Sequence, residues 1–503
     1  MEASEDKTTF VPFVPGSRDI VNAVLRKNHI KTLKEYDTDR ESMFLYYDPL
    51  PDGFEAYQPE YSGIYKRGEP DIKRIIRVTF DEELEKMIEY ANKYLEEQEL
   101  SDEEKEAINK TKAKLEWIRK HEGAKSGYVN DVSQAIRAWT FVDRETMNPE
   151  SHIALQNGLL NLTTWQLESF APNLFYTWKV RGQYNPTIRS LNLMPKFRDF
   201  MSSAYPEKVI PTILDYMAYC LYPGFPRQKV LLIVGAERVG KGTTARIIEH
   251  ILADGYGRFS LYKLLIPDNK FPLQGIEGKN VLIDAEMKRE YKKQADFDVF
   301  NTLFGGDALD LEEKFKAAVK YHSRAKGIMI GNLPLFRTTN PAFLSRLLIT
   351  ITNPSRERAE IADLDKEIWK AEGDKIVAFL LNRLQSLISR GFRFENELTN
   401  EQYAKVWEML SNSVQMFIDD LVIEGNGVET VYAYEEYGYW CKRKGIPPEK
   451  EHSFASKMNA IYPRKRIRQD NQLFYVYQSC AIAIGAEMET KKGIVNIDSM
   501  PRL

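Results

Sequence analysis

Residues 230–244 read VLLIVGAERVGKGTT, and they indicate the fold of the central part of the chain. Its first five residues form an apolar run with the length of a buried strand. A loop bounded by Gly235 and Gly240 follows, and Lys241 stands before a segment with helical patterning near residues 244–252. A strand, a glycine-bounded loop that ends in lysine, and a helix N-terminus together form a cradle for phosphate groups.

The loop predicts which residues hold those phosphates. Backbone N–H groups would face the phosphates, and Lys241 would reach the outer ones as a point charge. The hydroxyl that such a loop uses for magnesium comes one residue late, because Gly242 follows the lysine. We assign this role to Thr243, with Thr244 as the alternative. The predicted phosphate-binding residues are Gly235, Ala236, Glu237, Arg238, Val239, Gly240, Lys241, Gly242, Thr243 and Thr244.

Three further apolar runs of strand length follow, at residues 281–283, 328–330 and 347–351. Strands that alternate with a helix predict an α/β domain with a largely parallel sheet. The first run ends in Asp284 and Glu286, whose period-two spacing predicts that both acids share one face of the strand. We expect Glu286 to activate water and Asp284 to hold magnesium, although the two roles could be exchanged.

Two more polar residues complete the predicted catalytic set. Asn332 follows the apolar run 328–330, where its side chain can orient the attacking water or sense the γ-phosphate. Arg346 precedes the run 347–351, and an arginine there could complete a neighbouring subunit's site as an arginine finger. The predicted catalytic residues are therefore Glu286, Asn332 and Arg346.

The regions on either side differ in character. Residues 81–120 have helical patterning, with Ser101 and Glu104 placed as a capping box, and this predicts a helical hairpin. Residues 150–190 contain strand-like runs around a turn at Gln156 to Gly158, and we expect a domain boundary after them.

After residue 400 the pattern returns to helices. Helical segments at 401–423, 430–444 and near 452–461 precede a basic and then aromatic stretch that ends at Tyr477. Three helices and a β-ribbon predict a winged helix. The expected domains are residues 1–190, 191–400 and 401–503.

The chain has 503 residues, with 70 basic and 73 acidic side chains and a formal net charge of -3. This balance argues against a protein that coats nucleic acid with its whole surface, but it permits a local basic patch. Cys220, Cys441 and Cys480 are scattered singly, which fits neither a disulfide framework nor a zinc site. No signal-peptide core and no run long enough to span a membrane is found, so we expect a cytoplasmic protein without membrane contact.

The order of the motifs resembles that of superfamily 3 helicases of the AAA+ class: a phosphate loop, a strand with terminal acids, Gly305-Gly306-Asp307, Asn332 and Arg346. The resemblance is to the poxvirus-type and phage or plasmid primase-helicase branch. Within that branch the sequence looks most like the C-terminal helicase part of an archaeal plasmid replication protein. The resemblance implies an α/β P-loop (AAA+-like) core, an α+β N-terminal helicase-associated domain and a C-terminal winged-helix domain.

The activity that the resemblance implies is that of an ATP-dependent DNA helicase, a ring-shaped motor in plasmid or viral DNA replication. It also implies ATP and Mg2+ as cofactors and a homo-oligomer, usually a hexamer. Lys314 and Lys316 match the family's pore lysines, which contact single-stranded DNA. In the expected wing, duplex DNA would be bound by Arg464, Lys465, Arg466 and Arg468. The clustered carboxylates of a primase are not found, so a primase or polymerase domain is expected in cis or in trans.

Two other functions fit parts of the sequence. Gly240-Lys241-Gly242-Thr243 also resembles the phosphate loop of adenylate kinases, a class of nucleoside monophosphate kinase. In those enzymes the loop stands at the very N-terminus, whereas about 230 residues precede it here. The second alternative is a winged-helix DNA-binding regulator that uses nucleotide only as a switch. Asp284 and Glu286 favour hydrolysis over this regulator.

Overall fold

The structure is a computed structural model that describes residues 13–34, 41–48, 63–97, 100–235, 238–266, 273, 275–288, 295–311, 319–332, 335–336, 338–353, 363–444, 446–469 and 472–483. These residues belong to two compact units. The first unit comprises Met1–Pro149 and Ser169–Trp178, and the second comprises Glu150–Glu168 and Lys179–Leu503.

Both units contain helices and strands. The α-helices within the described residues are α1 (Ser17–Lys27), α2 (Glu69–Glu97), α3 (Asp102–His121), α4 (Ser126–Trp139), α5 (Pro195–Ala204), α6 (Ile210–Tyr219), α7 (Lys241–Leu252), α8 (Leu261–Leu264), α9 (Asp298–Leu303), α10 (Pro341–Ser345), α11 (Leu364–Ser389), α12 (Asn400–Leu421), α13 (Thr430–Lys444) and α14 (Glu451–Ile461).

The β-strands within the same residues are β1 (Ile30–Lys34), β2 (Glu41–Asp48), β3 (Ile64–Arg67), β4 (Phe141–Val142), β5 (His152–Leu155), β6 (Gly158–Asn161), β7 (Leu167–Glu168), β8 (Val230–Val234), β9 (Tyr256–Arg258), β10 (Val281–Met287), β11 (Ala308–Leu311), β12 (Val319–His322), β13 (Lys326–Gly331), β14 (Leu347–Ile351), β15 (Val422–Ile423), β16 (Val428–Glu429), β17 (Arg464–Gln469), β18 (Gln472–Tyr477) and β19 (Ala481–Ile482).

The first unit combines a four-stranded sheet with packed helices. The strand order is β3-β2-β1-β4, with β1 antiparallel to β2 and parallel to β4. Buried apolar side chains from α1 to α4 form one core cluster, which includes Ile76 and Leu115. Helices α2 and α3 are the predicted hairpin. The predicted capping box is confirmed, because the Ser101 N–H donates to Glu104 Oε2 at 2.8 Å and the Glu104 N–H donates to Ser101 Oγ at 3.3 Å.

A five-stranded parallel sheet forms the core of the second unit, with the strand order β14-β8-β13-β10-β9. All residues of β8 are buried, as expected for a parallel strand with both faces covered. The predicted α/β core with a parallel sheet is confirmed, and its four predicted strands are β8, β10, β13 and β14. We call the end at which these parallel strands finish the carboxyl end of the sheet, and the opposite end the amino end.

The second unit also contains smaller sheets. Strands β5 and β6 pair antiparallel on either side of the predicted turn, with Gln156 and Asn157 between them. Strands β11 and β12 pair antiparallel directly before β13. In the C-terminal part, α12, α13 and α14 precede the antiparallel pair of β17 and β18, and β16 joins the other side of β18. The three predicted C-terminal helices are therefore found close to their predicted bounds.

An aromatic core holds these C-terminal helices together. The ring of Phe417 on α12 lies 5.5 Å from that of Tyr437 on α13 and 5.9 Å from that of Phe454 on α14. Within the described residues, no helix has both the length and the apolar character that a membrane span requires.

Candidate functional site

The carboxyl end of the central sheet brings together residues that are far apart in the sequence. In the parallel register, Val234 lies beside Gly331 and Ile351, and Gly331 lies beside Met287. The residues that follow these positions therefore share one end of the sheet, which is where ligands bind in open α/β sheets. They include the glycine loop, Asn332 and the last residues of β10.

Two glycines shape the loop. Gly235 adopts a φ of +156°, and a Cβ atom there would overlap the hydroxyl of Thr352. Gly240 caps the N-terminus of α7 with a φ of +100°, and a Cβ there would lie 2.8 Å from Phe200 Cε2. Both positions therefore require glycine. Arg238 also has a positive φ, of +62°, which is uncommon for a residue with a side chain.

Lys241 is the first residue of α7, and its side chain is buried. Its Nζ atom donates a hydrogen bond to the carbonyl oxygen of Gly235 at 2.9 Å. The ammonium group thus lies inside the loop, next to the N-terminus of a helix whose first N–H groups also attract anions. Of the other predicted loop residues, Ala236 and Glu237 lie outside the described residues.

The two candidate hydroxyls have different partners. Thr244 is fully buried, and its Oγ1 lies 2.5 Å from the hydroxyl of Tyr205. Burial raises the pKa of Tyr205, so this phenol stays protonated. Thr243 instead accepts a hydrogen bond at 3.3 Å from Nη2 of Arg246. Thr244 is therefore engaged in packing α7 against the segment after α5, whereas Thr243 is held by a side chain on its own helix.

A β-bulge separates the two acids at the end of β10. Asp284 pairs with Met329 and Met287 pairs with Gly331, so three steps on β10 match two on β13. The expectation of a shared face fails here for this reason, because Asp284 is buried whereas Glu286 is exposed. The extra residue arises from pairing with β13 and has no local sequence signal.

Asp284 is held by backbone amides. Its Oδ2 accepts from the Leu261 N–H at 2.7 Å, at the start of α8, and its Oδ1 accepts from the Glu286 N–H at 3.2 Å. Burial raises the pKa of the Asp284 carboxyl, and these two hydrogen bonds offset part of that effect. Within the described residues, no group of three or more His, Cys, Asp and Glu side chains could hold a metal ion by itself.

Arg346 lies at the amino end of the sheet, directly before β14, whose first residue pairs with Val230. Its Nη1 donates to the Ala342 carbonyl at 2.8 Å, and its guanidinium lies near Gly305. Burial lowers the pKa of Arg346, and Asp307 offsets part of this effect. The length of β8, roughly 16 Å for five residues, therefore separates Arg346 from the phosphate loop of the same chain.

The predicted DNA contacts are described only in part. Strands β11 and β12 end on either side of residues 312–318, and Lys314 and Lys316 lie outside the described residues. In the C-terminal hairpin, Arg464, Lys465 and Arg466 are exposed on β17, the strand to which Arg468 also belongs. The hairpin also exposes an aromatic ring, because the Arg464 guanidinium lies 4.6 Å from the ring centroid of Tyr475, which is 42% exposed.

Sequence reasoning missed three residues next to the loop. Thr352 is buried against Gly235, and among the described residues its Oγ1 has no hydrogen-bond partner. Its position directly after the predicted strand 347–351 was a usable signal, because the same rule singled out Asn332. Arg246 and Tyr205 carried no such signal, since their roles depend on contacts across the fold.

Two family models match parts of the chain. Residues 64–206 match a model described as D5 N terminal like, and residues 233–346 match a family of unknown function, DUF5906. Each match covers less than half of the chain. The D5 N terminal match supports a replication protein of the phage or viral primase-helicase type. A comparison with proteins of curated function finds none that matches the chain.

Solved structures similar to this chain include apo structures of the C-terminal region of NrS-1. One has 10% sequence identity and a TM-score of 0.41, and the match covers 92% of this chain and 98% of that one. An A form of the same region has 9% identity and a TM-score of 0.38, with 92% and 99% covered.

Proposed function

We propose that the protein is an ATP-dependent DNA helicase of the superfamily 3 type that acts in plasmid or viral DNA replication. The observation that carries the proposal is the carboxyl end of the central sheet. There the glycine loop with Lys241, the acids of β10 and Asn332 come from three neighbouring strands in the order β8-β13-β10. A phosphate cradle, a carboxylate and a polar sensor on adjacent strands are the parts that nucleotide hydrolysis requires.

The residues at this end of the sheet fit ATP with magnesium. Gly235 and Gly240 permit the tight course of the loop, since a Cβ at either position would collide with Thr352 or Phe200, and Lys241 supplies a positive charge within the loop. Thr243 and Asp284 would hold the metal, since hydroxyl and carboxylate oxygens are the ligands that magnesium prefers. When bound, magnesium neutralises charge that develops on the phosphates.

The chain's own residues then divide the remaining work. Glu286 is exposed at the end of β10, where its carboxylate can accept a proton from an attacking water. Asn332 follows β13, between β8 and β10, and would orient that water or sense the outer phosphate. Exchange of the Asp284 and Glu286 roles remains the alternative within this proposal.

The position of Arg346 supports the hypothesis that an assembly of subunits hydrolyses ATP. Arg346 lies at the amino end of the sheet. It therefore cannot contact a nucleotide that is bound at the carboxyl end of the sheet in the same subunit. It could complete a site only in a neighbouring subunit, as an arginine finger does. We therefore include a ring of identical subunits, a hexamer by resemblance, in the proposal.

DNA would be bound at two places. Lys314 and Lys316 would contact a single strand in the pore of the ring, and the basic hairpin of β17 and β18 would contact duplex DNA. Three helices followed by this hairpin support the winged-helix assignment. A primase or polymerase domain, in cis or in trans, and a cytoplasmic location remain predictions, as does the kind of replicon, plasmid or viral.

Phosphate release from ATP, measured with and without single-stranded DNA, tests the proposal. The wild-type chain should hydrolyse ATP faster with DNA, whereas Glu286→Gln should bind ATP and release no phosphate. Glu408→Gln is a matched control, because Glu408 is exposed on α12 and belongs to none of the strands or loops of the proposed site. A wild-type chain that binds ATP and duplex DNA without hydrolysis would instead be the nucleotide-switched regulator. Phosphate transfer to a nucleoside monophosphate would identify a kinase.

A further inference from the structure

Arg246 covers the first turn of the phosphate-loop helix. Helical side chains lean toward the helix N-terminus, so a residue on α7 covers the surface of the preceding turn. Nη2 of Arg246 donates to Thr243 Oγ1 at 3.3 Å. A Cβ atom at Gly242 would lie 3.2 Å from Nη1 of the same guanidinium. Arg246 therefore occupies the space that a side chain after Lys241 would need.

Asp365, at the start of α11, holds this arginine in place. Asp365 is only 2% exposed, and its Oδ1 accepts from Arg246 Nε at 2.6 Å. Its Oδ2 lies 3.0 Å from Nε2 of His250, whose ring stacks on Trp369 at a centroid distance of 5.7 Å. Burial opposes the charged form, but the hydrogen bonds from Arg246 and His250 outweigh it and lower the pKa of Asp365. The carboxylate is thus charged and fixed from two sides.

The arginine has a specific effect on Thr243. A threonine in a helix divides between two χ1 rotamers, because its hydroxyl can also bond to a carbonyl in the preceding turn. A hydrogen bond from Arg246 selects one of these rotamers. A hydroxyl group has two lone pairs and one hydrogen, so one lone pair and the hydrogen stay available for a ligand.

We propose that Arg246, braced by Asp365, is a positioning residue that orients the Thr243 hydroxyl toward the magnesium of the bound nucleotide. This inference rests on the proposed ATP site. It accounts for the displaced hydroxyl, because Gly242 leaves room for the arginine and Thr243 takes over the role of a hydroxyl directly after the lysine. A purely structural brace between α7 and α11 would stabilise the fold without affecting the metal.

Binding of a fluorescent ATP analogue to the full chain, with magnesium titrated in and with the metal removed by a chelator, separates these roles. Arg246→Ala should lower the apparent affinity for magnesium, read from nucleotide binding, by about 10-fold or more. Residues that hydrogen-bond to a metal ligand typically contribute 10- to 100-fold in metal affinity. Binding of the metal-free nucleotide should stay unchanged. Asp365→Asn should act in the same direction. Arg198→Ala is the matched control, because Arg198 also pairs with a carboxylate, that of Asp199.

A double variant makes the test sharper. Gly242→Ser alone should impair binding, because the new side chain meets Arg246. Gly242→Ser with Arg246→Ala places a hydroxyl directly after the lysine and should restore magnesium dependence toward the wild-type value. A double variant as weak as Arg246→Ala would overturn the inference. So would an Arg246→Ala chain that loses affinity equally with and without magnesium. If the wild-type chain binds no nucleotide, the proposed function itself fails, which is a distinct result.

Discussion

The Nζ atom of Lys241 lies 2.9 Å from the carbonyl oxygen of Gly235, to which it donates a hydrogen bond across the phosphate loop. The first glycine of the loop and the lysine at its end are therefore in direct contact. The ammonium group needs little rearrangement to meet an anion, because it is already buried inside the loop. Preorganisation of this kind lowers the cost of ordering the side chain when a ligand binds.

Lys241→Ala should abolish ATP hydrolysis while the fold survives, because the lysine neutralises phosphate charge and contributes little to the core. The lost hydrogen bond should reduce the free energy of unfolding by no more than about 3 kcal/mol. Phosphate release and thermal unfolding, measured side by side, check both parts. Lys375→Ala is the control, since Lys375 is exposed on α11. Hydrolysis at the wild-type rate by Lys241→Ala would place the site elsewhere.

Gly235→Ala should destabilise the protein by about 1–3 kcal/mol, because the added methyl group overlaps the Thr352 hydroxyl. Nucleotide binding should be lost as the loop shifts. Removal of the hydroxyl in Gly235→Ala/Thr352→Ala should recover part of the stability, but the positive φ of residue 235 prevents full recovery. Urea unfolding of the wild-type chain, the two single variants and the double variant gives the interaction free energy between the two substitutions. Gly438→Ala, with no atom within 4 Å of the new Cβ, is the control.

If the effects of the two substitutions on the free energy of unfolding simply added, this account of the loop would be contradicted. The expected coupling is favourable, because the double variant removes the atom with which the new methyl group collides.

The parallel sheet could be predicted from the sequence because its strands are buried on both faces. The four apolar runs have the length of strands and are bounded by turn residues. The glycine loop that ends at Lys241 follows one of these runs, and Asn332 follows another. Most residues of the candidate site could therefore be found by looking just after the end of a predicted strand. The same rule would have located Thr352.

Contacts between distant segments could not be predicted in this way. Arg246 and Asp365 are 119 residues apart, and neither has a local pattern that indicates the other. The bulge after Asp284 depends on how β10 pairs with β13, so the periodicity of β10 alone gave the wrong face for Glu286. Helix hairpins and capping boxes were predictable because their signals lie within a few residues.

Neutralisation of Arg464, Lys465, Arg466 and Arg468 to glutamine should weaken duplex DNA binding and reduce its salt dependence. Each phosphate contact that is lost should lower the slope of log affinity against log salt by about 0.9. A salt titration of duplex affinity measures this slope. The matched control neutralises four exposed lysines of α3, namely Lys105, Lys110, Lys114 and Lys120. An unchanged slope in the β17 variant would remove this hairpin from the DNA contacts.

Lys326 should make stability depend on pH. Burial lowers the pKa of this lysine from 10.5 to about 7, and its Nζ donates to Asn280 Oδ1 at 2.7 Å. Between about pH 7 and 10.5 the unfolded chain binds a proton that the folded chain does not. The free energy of unfolding therefore rises with pH across this window, by up to about 1.4 kcal/mol per pH unit. Lys326→Met should remove this contribution.

Urea unfolding at about pH 6.5 and about pH 8.5 compares the wild-type and Lys326→Met chains. Comparison of the two chains cancels the titration of groups that do not interact with Lys326. Lys375→Met serves as the exposed control. Equal pH slopes for wild type and Lys326→Met would show that Lys326 keeps its proton in the folded state.

ATP hydrolysis should belong to an assembly, because Lys241 and Arg346 lie at opposite ends of the central sheet. Arg346→Ala should keep ATP binding and lose turnover, since a finger contributes several powers of ten in rate. Lys241→Ala should also be inactive. When the two inactive chains are mixed under conditions of subunit exchange, some interfaces pair an intact loop from one subunit with an intact Arg346 from its neighbour. These interfaces should recover part of the activity. No recovery on mixing, or full hydrolysis by an isolated monomer, would contradict a site shared between subunits.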